Sequence, residues 1–122
     1  MSLIWLSDPG SAHSGNVRRR GQAAAAVYDS RQRWGGPDRG IQLFGVAEEV
    51  VGGADAGEAA RVYAARFPAA ATATVGGYRY YRLRPRRVKL FDEPTFGSGV
   101  FVTASVRAGG RLVWERTERI TG

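Results

Sequence analysis

The strongest constraint in this chain is punctuation: its apolar residues come in short runs, each stopped by glycine, proline or aspartate. Only one stretch keeps helical spacing for more than about two turns. Short, interrupted runs of this kind favour strands joined by turns over a helical bundle.

The first run, Leu3 to Ser7, ends at Asp8-Pro9-Gly10 and reads as a strand stopped by a turn. Ser11 follows as an N-cap candidate for a helix over Ala12 to Arg19 that stops near Gly21, with its arginines at the negative end of the helix dipole. Ala23 to Tyr28 is apolar throughout and reads as a strand covered on both faces, its small side chains admitting something bulky. Arg31 to Arg39, with Trp34-Gly35-Gly36-Pro37-Asp38, is a loop, and Ile41 to about Val51 a strand.

Helical spacing is clearest from Asp55, a capping candidate with Glu58 three residues on, to Pro68. Ala69 to Gly77 carries no charge and reads as a mobile connection. Tyr78 to Leu83 alternates aromatic and basic side chains as a half-exposed strand does, and Val88 to Phe91 continues the sheet after Pro85. Val100 to Val106 and Leu112 to Trp114 flank Ala108-Gly109-Gly110 as a final hairpin. The pattern predicts a mostly β, α+β fold: an antiparallel sheet with two short helices, in a single domain over residues 1–122. About four strands are expected after the second helix.

Composition narrows the chemistry. With no cysteine and one histidine, thiol chemistry is excluded and no protein metal site is expected. The first six residues lack the basic start of a signal peptide, and no apolar run approaches the roughly 18 residues of a membrane span, so a cytoplasmic protein without a membrane partner is expected.

A net charge of +7 attracts phosphate-bearing partners in general. The basic runs Arg18-Arg19-Arg20, Arg79 with Arg82 and Arg84, and Arg86-Arg87-Lys89 read as solvated surface. Tyr78 to Arg82 also has the composition of a base-stacking strand, but its periodicity favours one face in a core, and a nucleic-acid partner is not expected. The only histidine, His13, sits beside Ser11 and Ser14 without a nucleophile elbow, which argues against a serine hydrolase. Glu48-Glu49 and Asp92-Glu93 are strand neighbours that point to opposite faces, so they read as solvated and not as an acid–base pair. No catalytic side chain is assigned.

The segment Ser11-Ala12-His13-Ser14-Gly15-Asn16 places hydroxyls, an imidazole and an amide at a helix start, where free backbone N–H groups favour an anion. Two readings stand side by side at this stage. In one the segment receives a phosphate; in the other Ser11 only caps, Asn16 bonds locally and His13 is a surface side chain.

Trp5 to Asn16, then Ala23 to Ser30, then Gly40 to Ala47, Glu58 to Pro68 and Tyr80 to Val88 together resemble, in order and spacing, the pyridoxamine 5′-phosphate oxidase-like FMN-binding split barrels. The resemblance covers nearly the whole chain. It implies a split β-barrel, a homodimer, and FMN held between subunits as an oxidoreductase cofactor for an unknown small-molecule substrate. Ser11, His13 and Asn16, with Ser7 beside them, become the phosphate candidates; Arg18 and Arg19 supply positive field, and Trp34 or Gln42 contacts the ring across the dimer.

The resemblance also implies that this chain opens at the family's third strand, leaving a sheet edge uncovered. Ala12 and His13 replace the usual Arg-Lys pair, Gly40 an expected glutamine, and Arg82 an expected tryptophan, so pyridoxamine oxidation itself is not expected. The alternative is a non-catalytic split-barrel module that binds deazaflavin F420 or haem, or no cofactor, and serves as a dimeric scaffold.

Overall fold

The structure is a computed structural model, and it describes residues 1–71 and 76–121. The elements run β1 (Leu3–Ser7), α1 (Ala12–Arg20), β2 (Gln22–Tyr28), β3 (Arg39–Glu49), α2 (Gly53–Arg66), β4 (Arg79–Asp92), α3 (Glu93–Phe96), β5 (Val100–Val106) and β6 (Leu112–Arg119). Six strands form one open sheet in the order β2-β3-β4-β5-β6, with β1 paired to β4. The predicted mostly β, antiparallel class is the one observed.

β4 is the long member because it serves three partners, β3 and, along successive halves, β1 and β5. Its N-terminal half pairs antiparallel with β1, from Leu3 opposite Leu83 to Ser7 opposite Arg79. Its C-terminal half pairs with β5, from Arg87 opposite Ser105 to Leu90 opposite Val102. Pro85, which has no N–H to give a ladder, falls between these two windows, and this explains how a buried proline sits inside a strand. Three strands therefore follow α2 where about four are expected, since Tyr78 to Leu83 and Val88 to Phe91 are parts of one strand.

The chain forms two compact units. One comprises residues 2–23 and 46–84 and is built on β1, α1, α2 and the first half of β4. Its core is Val17, Ala47, Ala59, Tyr81 and Leu83, and Trp5 stacks on Tyr81 at 5.7 Å between ring centroids. On the other face of β4, Tyr80 meets Tyr63 of α2 edge-on at 5.7 Å. The other unit comprises Met1, 24–45 and 85–122, with Leu43, Val88, Val100 and Ala104 buried and the β5–β6 hairpin closing it. Phe91 packs against Phe101, and Lys89 lies over the Phe101 ring at 4.6 Å.

Several expectations are corrected. β2 is not covered on both faces: it ends the sheet order, its alanines alternate between exposed and half-buried, and Val27 and Tyr28 are exposed. An unbroken apolar run cannot report that nothing packs on one side of it. Asp55 does not cap α2. Gly52 does so without a side-chain bond, because Gly52 and Gly53 both take left-handed φ near 63° and turn the chain into the helix earlier. Asp55 instead lies in the first turn, where its charge suits the dipole. Within the expected connection over 69–77, Pro68–Ala71 form a 3₁₀ turn, and residues 72–75 lie outside those described. A third helix, α3, was not expected, and the final hairpin strand runs to Arg119, beyond Trp114.

The two acidic pairs are engaged as well. Glu49 and Glu48 hold Arg79 and Arg84 at 2.8 and 3.1 Å. Asp92 ends β4 and holds Arg39 at 3.1 Å, while Glu93 opens α3 and accepts hydrogen bonds from the Asp38 N–H and the Ser98 hydroxyl. Among the described residues no helix is long and apolar enough to cross a membrane.

Candidate functional site

The start of α1 is built by a turn and a set of hydroxyls. Asp8 accepts from the Gly10 N–H through its side chain and from the Ser11 N–H through its carbonyl, which folds Asp8 to Ser11 back on itself. Ser11, extended at ψ 155°, accepts the Ser14 N–H at 3.3 Å and is the N-cap that the sequence predicts. Gly21 closes the helix at φ 63°.

Ser7 at the end of β1, Ser11 and Ser14 bring their hydroxyls within 3.0–3.3 Å of one another. Ser14 is buried and donates to the Asp8 carbonyl at 2.7 Å, its shortest contact, and its oxygen accepts from the Ser11 hydroxyl at 3.0 Å. Sequence reading did not single out Ser14 as a site residue. The signal was its spacing, three residues from the cap and three before Val17, which places it on the buried stripe.

The next two helix residues, Ala12 and His13, are exposed, and their backbone N–H groups find no partner among the described residues. The His13 side chain also lies on the outside. Arg18, two turns along, reaches back: one nitrogen donates to the Pro9 carbonyl at 2.7 Å and another to the Tyr81 hydroxyl at 3.4 Å. Its charge is thus carried to the turn that precedes the helix. Arg19 donates to the Asn16 side-chain oxygen at 2.5 Å, so these two predicted residues are paired on the exposed face of α1. The Asp8 carboxylate is the one negative group in this turn.

The two ring candidates lie in the other unit. Gln42, on β3, lines a shallow depression of about 320 Å³ with Ala24, Ala25, Ala26 and Phe44. The small side chains of β2 leave room there. Trp34 is fully exposed, at 105%, and packs on nothing in its own chain among the described residues.

No protein-family model matches the chain, and no curated protein matches it. Among solved structures it is similar to a pyridoxamine 5′-phosphate oxidase-related, FMN binding protein from Nostoc punctiforme. The TM-score is 0.59 at 11% identity, over 99% of this chain and 72% of that one. The fold is shared. The likeness therefore concerns the order and pairing of elements, and at that identity it assigns no side chain a role.

In the β2–β3 loop Arg31 forks onto Asp29, with both contacts at 3.0 Å, and this holds the Asp29 carboxyl below its ordinary value while raising Arg31. A depressed carboxylate contributes stability at neutral pH and loses it as pH falls through its folded-state pKa, here below 3.8. The pair is solvent-exposed, so the effect on the whole fold is expected to be slight. Carbon-detected NMR titration should show Asp29 moving up toward the ordinary carboxylate value in Arg31→Ala. An unmoved midpoint would remove Arg31 as the cause.

Proposed function

We propose that this chain is a flavin-binding protein of the pyridoxamine 5′-phosphate oxidase-related class, acting as a homodimer that holds FMN by its phosphate at the start of α1. The observation that carries the reading is the pair of unpartnered N–H groups on Ala12 and His13, with the Arg18 guanidinium brought to the same turn. Helix starts of this kind bind phosphate through aligned N–H groups and the positive end of the dipole. The shared fold with an FMN binding protein supports the choice of guest.

In this reading the Ser7 and Ser11 hydroxyls turn their protons from the serine cluster to the phosphate, while Ser14 stays bonded to the Asp8 carbonyl. His13 and Asn16 flank the phosphate from the exposed face, and Arg18 and Arg19 offset its charge against Asp8. Gln42, beside its wall of alanines, and the exposed Trp34 are the residues that would meet the ring held by a second copy. When bound, the flavin itself supplies hydride or electron transfer, and the protein binds, orients and excludes water.

The test is to add excess FMN to the purified chain, desalt it, and record the absorption spectrum and the mass in solution. Retained flavin bands on a dimer are expected. FMN should bind at least about tenfold more tightly than riboflavin, which lacks the phosphate, a difference of about 1.4 kcal/mol. His13→Ala should narrow that ratio without disturbing the cap, and Ser11→Ala should narrow it while also costing about 1 kcal/mol of stability. A colourless dimer would overturn the flavin reading and leave the scaffold alternative. Equal affinity for FMN and riboflavin would remove α1 from the site.

A further inference from the structure

Three arginines of β4, Arg79, Arg82 and Arg84, differ in a way that reverses ordinary electrostatics. Arg79 and Arg84 keep more than half of their side-chain surface in water, and each has a carboxylate. Arg82 retains 5% of its surface and forms no ion pair, side-chain hydrogen bond or cation–π contact among the described residues. This corrects the expectation that all the basic runs are solvated. Both acidic residues of β3 are already taken by its neighbours, and its register partner on β1 is the apolar Ile4.

A guanidinium cannot shed its charge by releasing a proton, so burial without a counter-ion leaves the full desolvation cost uncompensated. Among the described residues, the side-chain polar atoms that are both sealed from solvent and unpartnered are Asp92 Oδ1 and Thr103 Oγ1. The 5% of its surface that Arg82 keeps in water is the access a ligand would use. By strand alternation Arg82 shares the face of Tyr80, the α2 side, while Tyr81 and the serine cluster lie on the α1 side.

We propose that Arg82 anchors an anion site on the α2 face of this sheet, one that takes a single compact oxyanion, the carboxylate or phosphate of a small ligand. The five N–H groups of a guanidinium match such a group bidentately, and a low-dielectric setting strengthens the pairing. This site is separate from α1, and the inference does not rest on the flavin reading.

Thermal melts of the full chain test it, in chloride, acetate and inorganic phosphate at matched ionic strength. The wild-type chain should melt several degrees higher in tens of millimolar phosphate or acetate than in chloride, because a ligand bound only by the folded state raises the midpoint. A response to acetate alone assigns a carboxylate, and one to phosphate alone a phosphate. Arg82→Met keeps the length and removes the charge. It should lose the anion response and melt in chloride at or above the wild-type temperature. An equal anion response in both proteins would overturn the proposal. Should that variant not fold, the Arg82 Nε–H resonance of the wild type decides: a saturable shift on adding phosphate or acetate supports the site, and a fixed position rejects it.

Discussion

Tyr81→Ala is expected to lower the stability of the chain by about 3–5 kcal/mol, the usual cost of emptying a buried aromatic position. Tyr81 has no exposed surface, stacks on Trp5 and accepts a hydrogen bond from Arg18. Its removal opens a cavity between β1 and β4 and releases the arginine that ties α1 to the turn before it. Small domains are commonly stable by about 5–15 kcal/mol, so the loss would leave much of the chain unfolded at moderate urea. Tyr81→Phe separates the two contributions: the hydroxyl contact is long, at 3.4 Å, and its loss should cost under about 1 kcal/mol. Urea denaturation of the three proteins measures both. Equal costs for Phe and Ala would mean that the hydroxyl, and not the ring, secures the core.

The second large effect is expected at Gly99, just before β5. Its φ of 69° is a conformation that side chains resist, and a Cβ there would lie 2.6 Å from the backbone oxygen of Ile120. Ile120 cannot withdraw freely, because its N–H donates to the Gly99 carbonyl at 2.8 Å. Strain and overpacking together should make Gly99→Ala cost about 2–4 kcal/mol. Gly109→Ala is the matched control: its φ is 73° but its added Cβ would meet nothing within 4 Å, so it should cost only the conformational part, about 1–2 kcal/mol. If both variants lose the same amount, the close approach to Ile120 contributes nothing.

Local chemistry made much of this structure readable in advance. Asp8-Pro9-Gly10 followed by Ser11 specified a turn and a capped helix, and Gly21 specified its end. Alternation over Tyr78 to Leu83 specified a strand. What could not be read was which surfaces are left without a neighbour. The alanines of β2 look like a buried strand until the strand order places them at its end. Arg82 looks like Arg79 and Arg84 in sequence, and only the placement of Glu48 and Glu49 separates them.

The candidate site divides in the same way. The sequence brings Ser7, Ser11, Asn16 and Arg18 to one helix and its entry turn because their spacing is short. Ring contacts depend on distant segments, and for Trp34 and Gln42 no local signal distinguishes a binding residue from an ordinary surface one.

The division of β4 between β1 and β5 limits where this protein can gain or lose residues over time. Deleting one residue between Leu83 and Arg87 would leave the pairing with β1 untouched and turn every later side chain to the other side, bringing Val88 out and Lys89 in. The same change in the loop over residues 29–38 would alter only the length of a connection. Change in chain length should therefore accumulate in that loop, while β4 varies only by substitution.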